Sequence, residues 1–251
     1  MTYSNWASRP LGVAVALDRG ECGGSYVEAC ILVSGVISAI AADQWPGTGI
    51  DQQRFVEAWV RFAGSPEASW VSLPLLRRTL VESRRFEEAK ALEALRPDFF
   101  RPGHDCRVVT GEIDVDEQEA IKACPGLTLY EIRSHTYPNV FYRYVRSQLV
   151  HEYGFASGGW AAGVAMTTRH DATVSYVNEL AKSEQPVAGS DGIEKNVRSR
   201  HVVRRIHFHM PWLVDVAKTI ARKADEADKE PGRSTRPLEW WLPKKPKQPK
   251  S

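Results

Sequence analysis

Between Arg143 and Tyr153 the chain carries two guanidinium groups, a hydroxyl, an imidazole and a phenol: Arg143, Arg146, Ser147, His151 and Tyr153. Arginine offers a permanent charge on a planar fork that matches a phosphate, and histidine gives or takes a proton near neutral pH. Together they are sufficient for metal-independent RNA cleavage, one stabilising the charged phosphate while the other moves the proton. On a helix Arg143, Ser147 and His151 stand at successive i, i+4 steps. Arg146 and His151 are five apart and diverge by about 140° on an ideal helix, so that pair must reach around the helix or act with a second chain. Arginine and histidine at such a spacing ordinarily line a solvated face, so the spacing alone assigns nothing.

The segment that must position them reads as one helix, opened by Pro138-Asn139 with Asn139 as N-cap, running to about Tyr153 and stopped by Gly154. At about 100° per residue, Phe141, Val145, Gln148, Leu149 and Glu152 gather on one side as an anchor. Arg143, Arg146, Ser147, Val150, His151 and Tyr153 gather on the other. Val150 is the apolar residue in that polar arc, which points to contact with a second copy around a two-fold axis.

Upstream, Ser25 fits an N-cap for a helix over Tyr26 to Gln44, broken by Trp45-Pro46-Gly47-Thr48-Gly49. Asp51 caps a second helix with an apolar face of Phe55, Val56, Trp59, Val60 and Phe62. Leu73 to Leu95 predicts one interrupted or two short helices, stopped at Pro97, and a short helix follows at Asp116 to Cys124. Val174 to Val177 and Val202 to Phe208 predict a β-hairpin around a polar loop at 183–200, and Pro211 opens a last helix. Residues 1–24, punctuated by Pro10, Gly12, Gly20, Gly23 and Gly24, predict an irregular start. The division that follows is an irregular 1–24, a helical domain over 25–228 with a hairpin insertion near 173–209, and a disordered basic tail over 229–251, rich in Pro and Lys.

The string Tyr142-Arg143-Tyr144-Val145-Arg146-Ser147-Gln148-Leu149-Val150-His151-Glu152-Tyr153 resembles the motif of the HEPN (higher eukaryotes and prokaryotes nucleotide-binding) family: an arginine, four to six residues, then histidine, on a late helix of a bundle. Tyr153 matches the R-x4-H-x-Y form of HEPN toxins paired with nucleotidyltransferase-type antitoxins. Ser147 departs from it, because an amide commonly follows the arginine there. The resemblance covers residues 25–155 and implies a mainly α HEPN-like bundle with a small C-terminal β-hairpin. It implies an endoribonuclease, a toxin or defence RNase, in which His151 handles the proton of the ribose 2′-hydroxyl or of the leaving oxygen and Arg146 stabilises phosphate. Arg143, Ser147 and Tyr153 would support or bind the RNA, with no cofactor and no metal. It also implies a homodimer whose two helices face each other. The alternative is a non-catalytic HEPN-like module that binds RNA, a nucleotide or a protein.

The rest of the chain bounds these readings. A net charge of +2 excludes a general nucleic-acid coat, so RNA contact must be a local site. Four cysteines without a CxxC pair suggest neither a zinc knuckle nor a disulfide framework. His207 and His209 share a strand face, but no third ligand completes a metal set. Arg198, Arg200, Arg204 and Arg205 with His201 form a basic stretch that either meets RNA phosphates or is a solvated sheet edge, the edge being the favoured reading. No apolar run approaches the roughly 20 residues of a membrane span, so a cytoplasmic protein is expected.

Overall fold

The computed structural model describes residues 1–100, 108–109, 113–152, 162–165, 173–188, 194–227, 237 and 239–245. Its first helix, α1 (Tyr3–Asp18), corrects the expected irregular start. Ala7, Leu11, Ala14 and Leu17 make a buried stripe at helical spacing. Pro10 sits inside the helix, and the carbonyl it leaves without a donor belongs to Trp6, a solvent-exposed residue. Two free N–H groups of the first turn are taken by Asp225, whose carboxylate accepts from Tyr3 N at 2.6 Å and Ser4 N at 2.9 Å, and the Thr2 hydroxyl accepts from Asn5 N at 3.3 Å.

Ser25 starts α2 (Tyr26–Gln44) through reciprocal hydrogen bonds: its hydroxyl accepts from Val27 N at 3.2 Å, and its own N–H donates to Glu28 at 2.8 Å. By length and composition α2 is apolar enough to cross a membrane, with 19 residues and a mean hydropathy of 1.6, against the expectation that no run approaches that length. In this fold Ala29, Cys30, Val33, Ile37, Ile40 and Ala41 are buried in the core. Then comes α3 (Asp51–Phe62), with Phe55, Val56, Trp59 and Phe62 buried. Ile50, not Asp51, occupies its N-cap position.

Two short helices follow, α4 (Leu73–Glu82) and α5 (Phe86–Leu95), divided where Arg84 turns the chain in the left-handed region at φ 59°. The single turn α6 (Pro97–Phe100) comes next, then α7 (Glu117–Ala123), capped by Asp116, and α8 (Leu129–Arg133), capped by Thr128. Leu76, Leu80, Leu92, Ala120 and Ile132 from these helices share a second apolar core. The helical run after it comprises α9 (Tyr137–Phe141), one π-helical turn over Tyr142–Arg146, and α10 (Ser147–Glu152).

The sheet is small beside the helices and has strand order β1-β3-β4-β2: β1 (Val108–Val109), β2 (Ala162–Ala165), β3 (Val174–Ala188) and β4 (Glu194–His209). β3 and β4 form the expected antiparallel hairpin, but it is longer than expected, because 183–188 and 194–200 are paired strand rather than polar loop. β2 runs parallel to β4. The last helix, α11 (Met210–Ala227), buries Leu213, Val216, Ala217, Ile220 and Ala224 in the core that α1, α2, α3 and the inner ends of β3 and β4 share. The fold is mainly α with a β-hairpin elaboration. Within the expected disordered tail, residues 239–245 are ordered against the body: Leu242 is buried, and Trp240 and Trp241 are seated on it, while 229–236, 238 and 246–251 lie outside the described residues.

Candidate functional site

The helical run that carries the arginines begins at Thr136, in extended conformation, with Tyr137 N donating to Trp70 O at 3.0 Å and Pro138 in the first turn. Asn139 is not the cap. It is buried, donates to Ser134 O at 2.6 Å and accepts from Gln52 of α3 at 2.6 Å, which ties the start of the run to its neighbour. Phe141 packs against Phe55, Trp59 and Phe208 with ring centroids 6.3, 5.4 and 5.3 Å away. Val145 and Leu149 continue the buried side, as the 3,4 spacing predicts.

At Tyr142 the helix widens. Ser147 N donates to Tyr142 O, one residue further back than an α-helix allows, so the turn holds one residue more than the ideal wheel assumes. Turns of this kind are frequent at functional sites. Tyr142 leans its ring on Phe55, 5.3 Å between centroids, and the Arg146 guanidinium lies over the same ring at 5.0 Å. Arg146 and Ser147 are half-buried, whereas Arg143 is exposed and lies over Tyr144 at 5.2 Å. Burial pushes the Tyr142 phenol above its usual range, Arg146 pulls against that, and Asp51 and Arg54 of α3 also act on it. Arg54 in turn pairs with Asp51 and donates to Gly47 O at 3.2 Å.

The structure therefore brings Arg143, Arg146 and Ser147 onto one run with a firm apolar underside. The backbone alone is described at Val150, His151 and Glu152, and Tyr153 lies outside the described residues. Sequence reasoning missed Tyr142 as the support of Arg146, although the i, i+4 spacing of the two was a signal. It also missed Arg54, which had no signal because it comes from another helix. Arg143 acts electrostatically on His135, whose ring is buried with Nδ1 on Glu131 O at 2.7 Å and Nε2 on Thr79 Oγ1 at 2.9 Å.

Neither of the other candidate constellations gains from the geometry. His209 is buried with Nε2 2.9 Å from Ser175 Oγ, and no group of three or more His, Cys, Asp or Glu that could hold a metal ion occurs among the described residues. Arg198, Arg200, Arg204 and Arg205 lie on β4, where only the backbone is described. Cys30 and Cys124 are buried and Cys22 is exposed, and burial pushes the Cys30 thiol far up. What the described side chains of this site can offer chemically is permanent charge backed by aromatic faces. No protein-family model, no curated protein and no solved structure matches the chain.

Proposed function

We propose that the chain is a metal-independent endoribonuclease of the HEPN type that works as a homodimer, in which His151 moves the proton of the ribose 2′-hydroxyl or the leaving oxygen and Arg146 stabilises the phosphate. The observation that supports this most is the setting of Arg146: it lies over Tyr142 within a π-turn, on the late helix of a mainly helical fold that also carries His151 five residues on. A guanidinium held against a ring loses less freedom when it meets a phosphate. The divergence of Arg146 from His151 along one helix suits a site completed by the same helix of a second copy. In that setting a nucleotidyltransferase-type antitoxin is the class of partner for a toxin.

The test is RNA cleavage by the purified protein in excess EDTA. His151→Ala is expected to cut at least about 100-fold more slowly, the usual contribution of a positioned acid or base. Equal background cleavage by wild type and His151→Ala on several RNAs removes the enzymatic reading.

The Arg143 pair with Tyr144 and the Arg146 pair with Tyr142 also favour a second reading, because arginine–aromatic faces hold phosphates and stacked bases without any proton transfer. In a binding module His151→Ala retains RNA affinity, while Arg143→Ala and Arg146→Ala lower it and flatten its salt dependence.

A further inference from the structure

Residues 239–245 form neither helix nor strand, yet the backbone of Trp241 is held at both its polar groups by side chains from elsewhere in the fold. Its N–H donates to Glu57 Oε2 of α3 at 2.8 Å, and its carbonyl accepts from Arg133 Nη1 at the end of α8 at 2.5 Å. Neither partner is a chance surface group. Glu57 is only 5% exposed, and its other oxygen accepts from Arg61 at 2.8 Å. Arg133 is fixed by a two-pronged contact with Glu117, at 2.7 and 2.9 Å, which leaves one nitrogen for the carbonyl and the guanidinium plane for the Trp241 ring, 4.6 Å from its centroid.

The neighbouring side chains are received in the same way. The Trp240 ring meets Trp45 edge-on at 6.2 Å, Trp45 is stacked on Phe62 at 5.9 Å, and Arg61 lies over Trp45 at 5.6 Å. Leu242 is buried. Trp241 and Leu242 belong to neither of the two apolar cores, and Trp240 packs against the outside of the first.

A segment that is integral to a fold satisfies its backbone mainly with other backbone. An irregular segment whose amide and carbonyl are read by a buried carboxylate and an anchored guanidinium, with aromatic seats for its side chains, is held as a receptor holds a peptide. We infer that the surface between α3 and α8, built on Trp45, Glu57 and Arg133, is a peptide-binding site and that Trp240-Trp241-Leu242 is its tethered ligand. The ligand class is an irregular segment with two adjacent indoles followed by an aliphatic residue. A partner peptide of that kind displaces the tethered copy, and the inference stands independently of any action on RNA.

The test uses the full chain with Trp240→Ala and Trp241→Ala, which takes both indoles out of their seats and weakens the tethered copy, and a fluorescent peptide copying residues 239–245. The peptide should bind the folded double variant one to one. It should bind wild type at least about tenfold more weakly, because a tethered competitor acts at roughly millimolar effective concentration. Adding Arg133→Ala or Glu57→Ala to the double variant should weaken binding by about tenfold or more, the usual cost of losing a hydrogen bond to a charged group. A folded double variant that ignores the peptide, equal binding to wild type and variant, or equal binding of a scrambled peptide overturns the proposal. Hydrogen exchange on wild type covers a variant that does not fold: the Trp241 amide should exchange through local opening, well before the amides around Ile37 in α2. Exchange of both only on global unfolding marks the segment as part of the core and overturns the proposal as well.

Discussion

The Tyr176 hydroxyl lies 2.9 and 2.8 Å from the two carboxylate oxygens of Asp114 and donates to them. Tyr137, the first residue of α9, donates to the same carboxylate, and Leu73 N adds a third donor at 3.0 Å. Ser72 Oγ lies 2.7 Å from the Tyr176 hydroxyl. Asp114 thus joins the entry to α4, the start of the site helix and the hairpin. Burial pushes its carboxyl up to about 6, against the pull of both phenols, the Leu73 amide and Arg96.

Because the folded state holds that proton more tightly than the unfolded chain, this contribution to stability is fully present below the ordinary value of 3.8 and is lost as pH rises through about 6. The amount is about 3 kcal/mol for a rise from 3.8 to about 6. Asp114→Asn is expected to remove this fall, as read by denaturant unfolding from pH 4 to 7. Identical pH profiles for wild type and variant would count against it.

His135 works in the opposite sense. Burial lowers its pKa to about 4, assisted by the Arg143 charge and opposed by the Glu131 carbonyl and carboxylate, so the folded state resists protonation. Its stabilising contribution is present above the ordinary 6.5 and is lost as pH falls towards 4, by about 3 kcal/mol. His135→Gln, which can still bridge Thr79 and the Glu131 carbonyl, should therefore gain stability on acidification relative to wild type. The two buried groups offset each other between pH 4 and 6, so wild type should show a flatter profile there than either variant. A wild type steeper than both sinks the prediction.

Tyr142 gives a separable test of the arginine platform. Tyr142→Phe keeps the ring under Arg146 and is expected to leave RNA affinity within about twofold, since the cation–π contact survives. Tyr142→Ala removes the ring and its contact with Phe55, and affinity should fall by about two- to fivefold, matching a loss of 0.5–1 kcal/mol. Combined with Arg146→Ala, the Tyr142→Ala loss should largely vanish, because the two act as one unit. Fully additive losses in that double-mutant cycle would show that the ring does not support the guanidinium.

Assembly is tested at Val150. If the Arg143–Glu152 helices of two copies face each other across a two-fold axis, Val150→Glu brings like charges together there, and light scattering should report dimer for wild type and monomer for the variant, with cleavage lost. A wild-type monomer at micromolar concentration, or a dimeric and active Val150→Glu, rejects this interface.

Much of the helical frame was legible because its signals are local. Ser25 before an apolar stripe marks α2 to the residue, and the short helix expected from Asp116 to Cys124 is α7, one residue shorter at each end. What escaped is decided at a distance. α1 tolerates Pro10 and Gly12 because its buried stripe packs on α2 and α11, and Asp225 caps its start. The outer halves of β3 and β4 pair through their backbones, with Glu184 opposite Arg198, and carry no alternation of apolar residues. At the candidate site, Arg143 and Arg146 could be picked out through the whole string from Tyr142 to Tyr153 and not by spacing alone. The π-turn could not, since a 3.6-residue wheel has no place for its extra residue, and neither could the approach of Arg54, which depends on how α3 lies against the run.

The meeting of α1 and α2 with α11 also orders events in time. α2 is the most apolar of the described helices, and it is translated before its cover from α11, which comes only after the hairpin. Until α11 is made, a stretch that meets the criteria of a membrane helix therefore waits half-dressed. Nascent chains of this protein should be clients of hydrophobic-segment chaperones until Ile220 and Ala224 emerge to close over it.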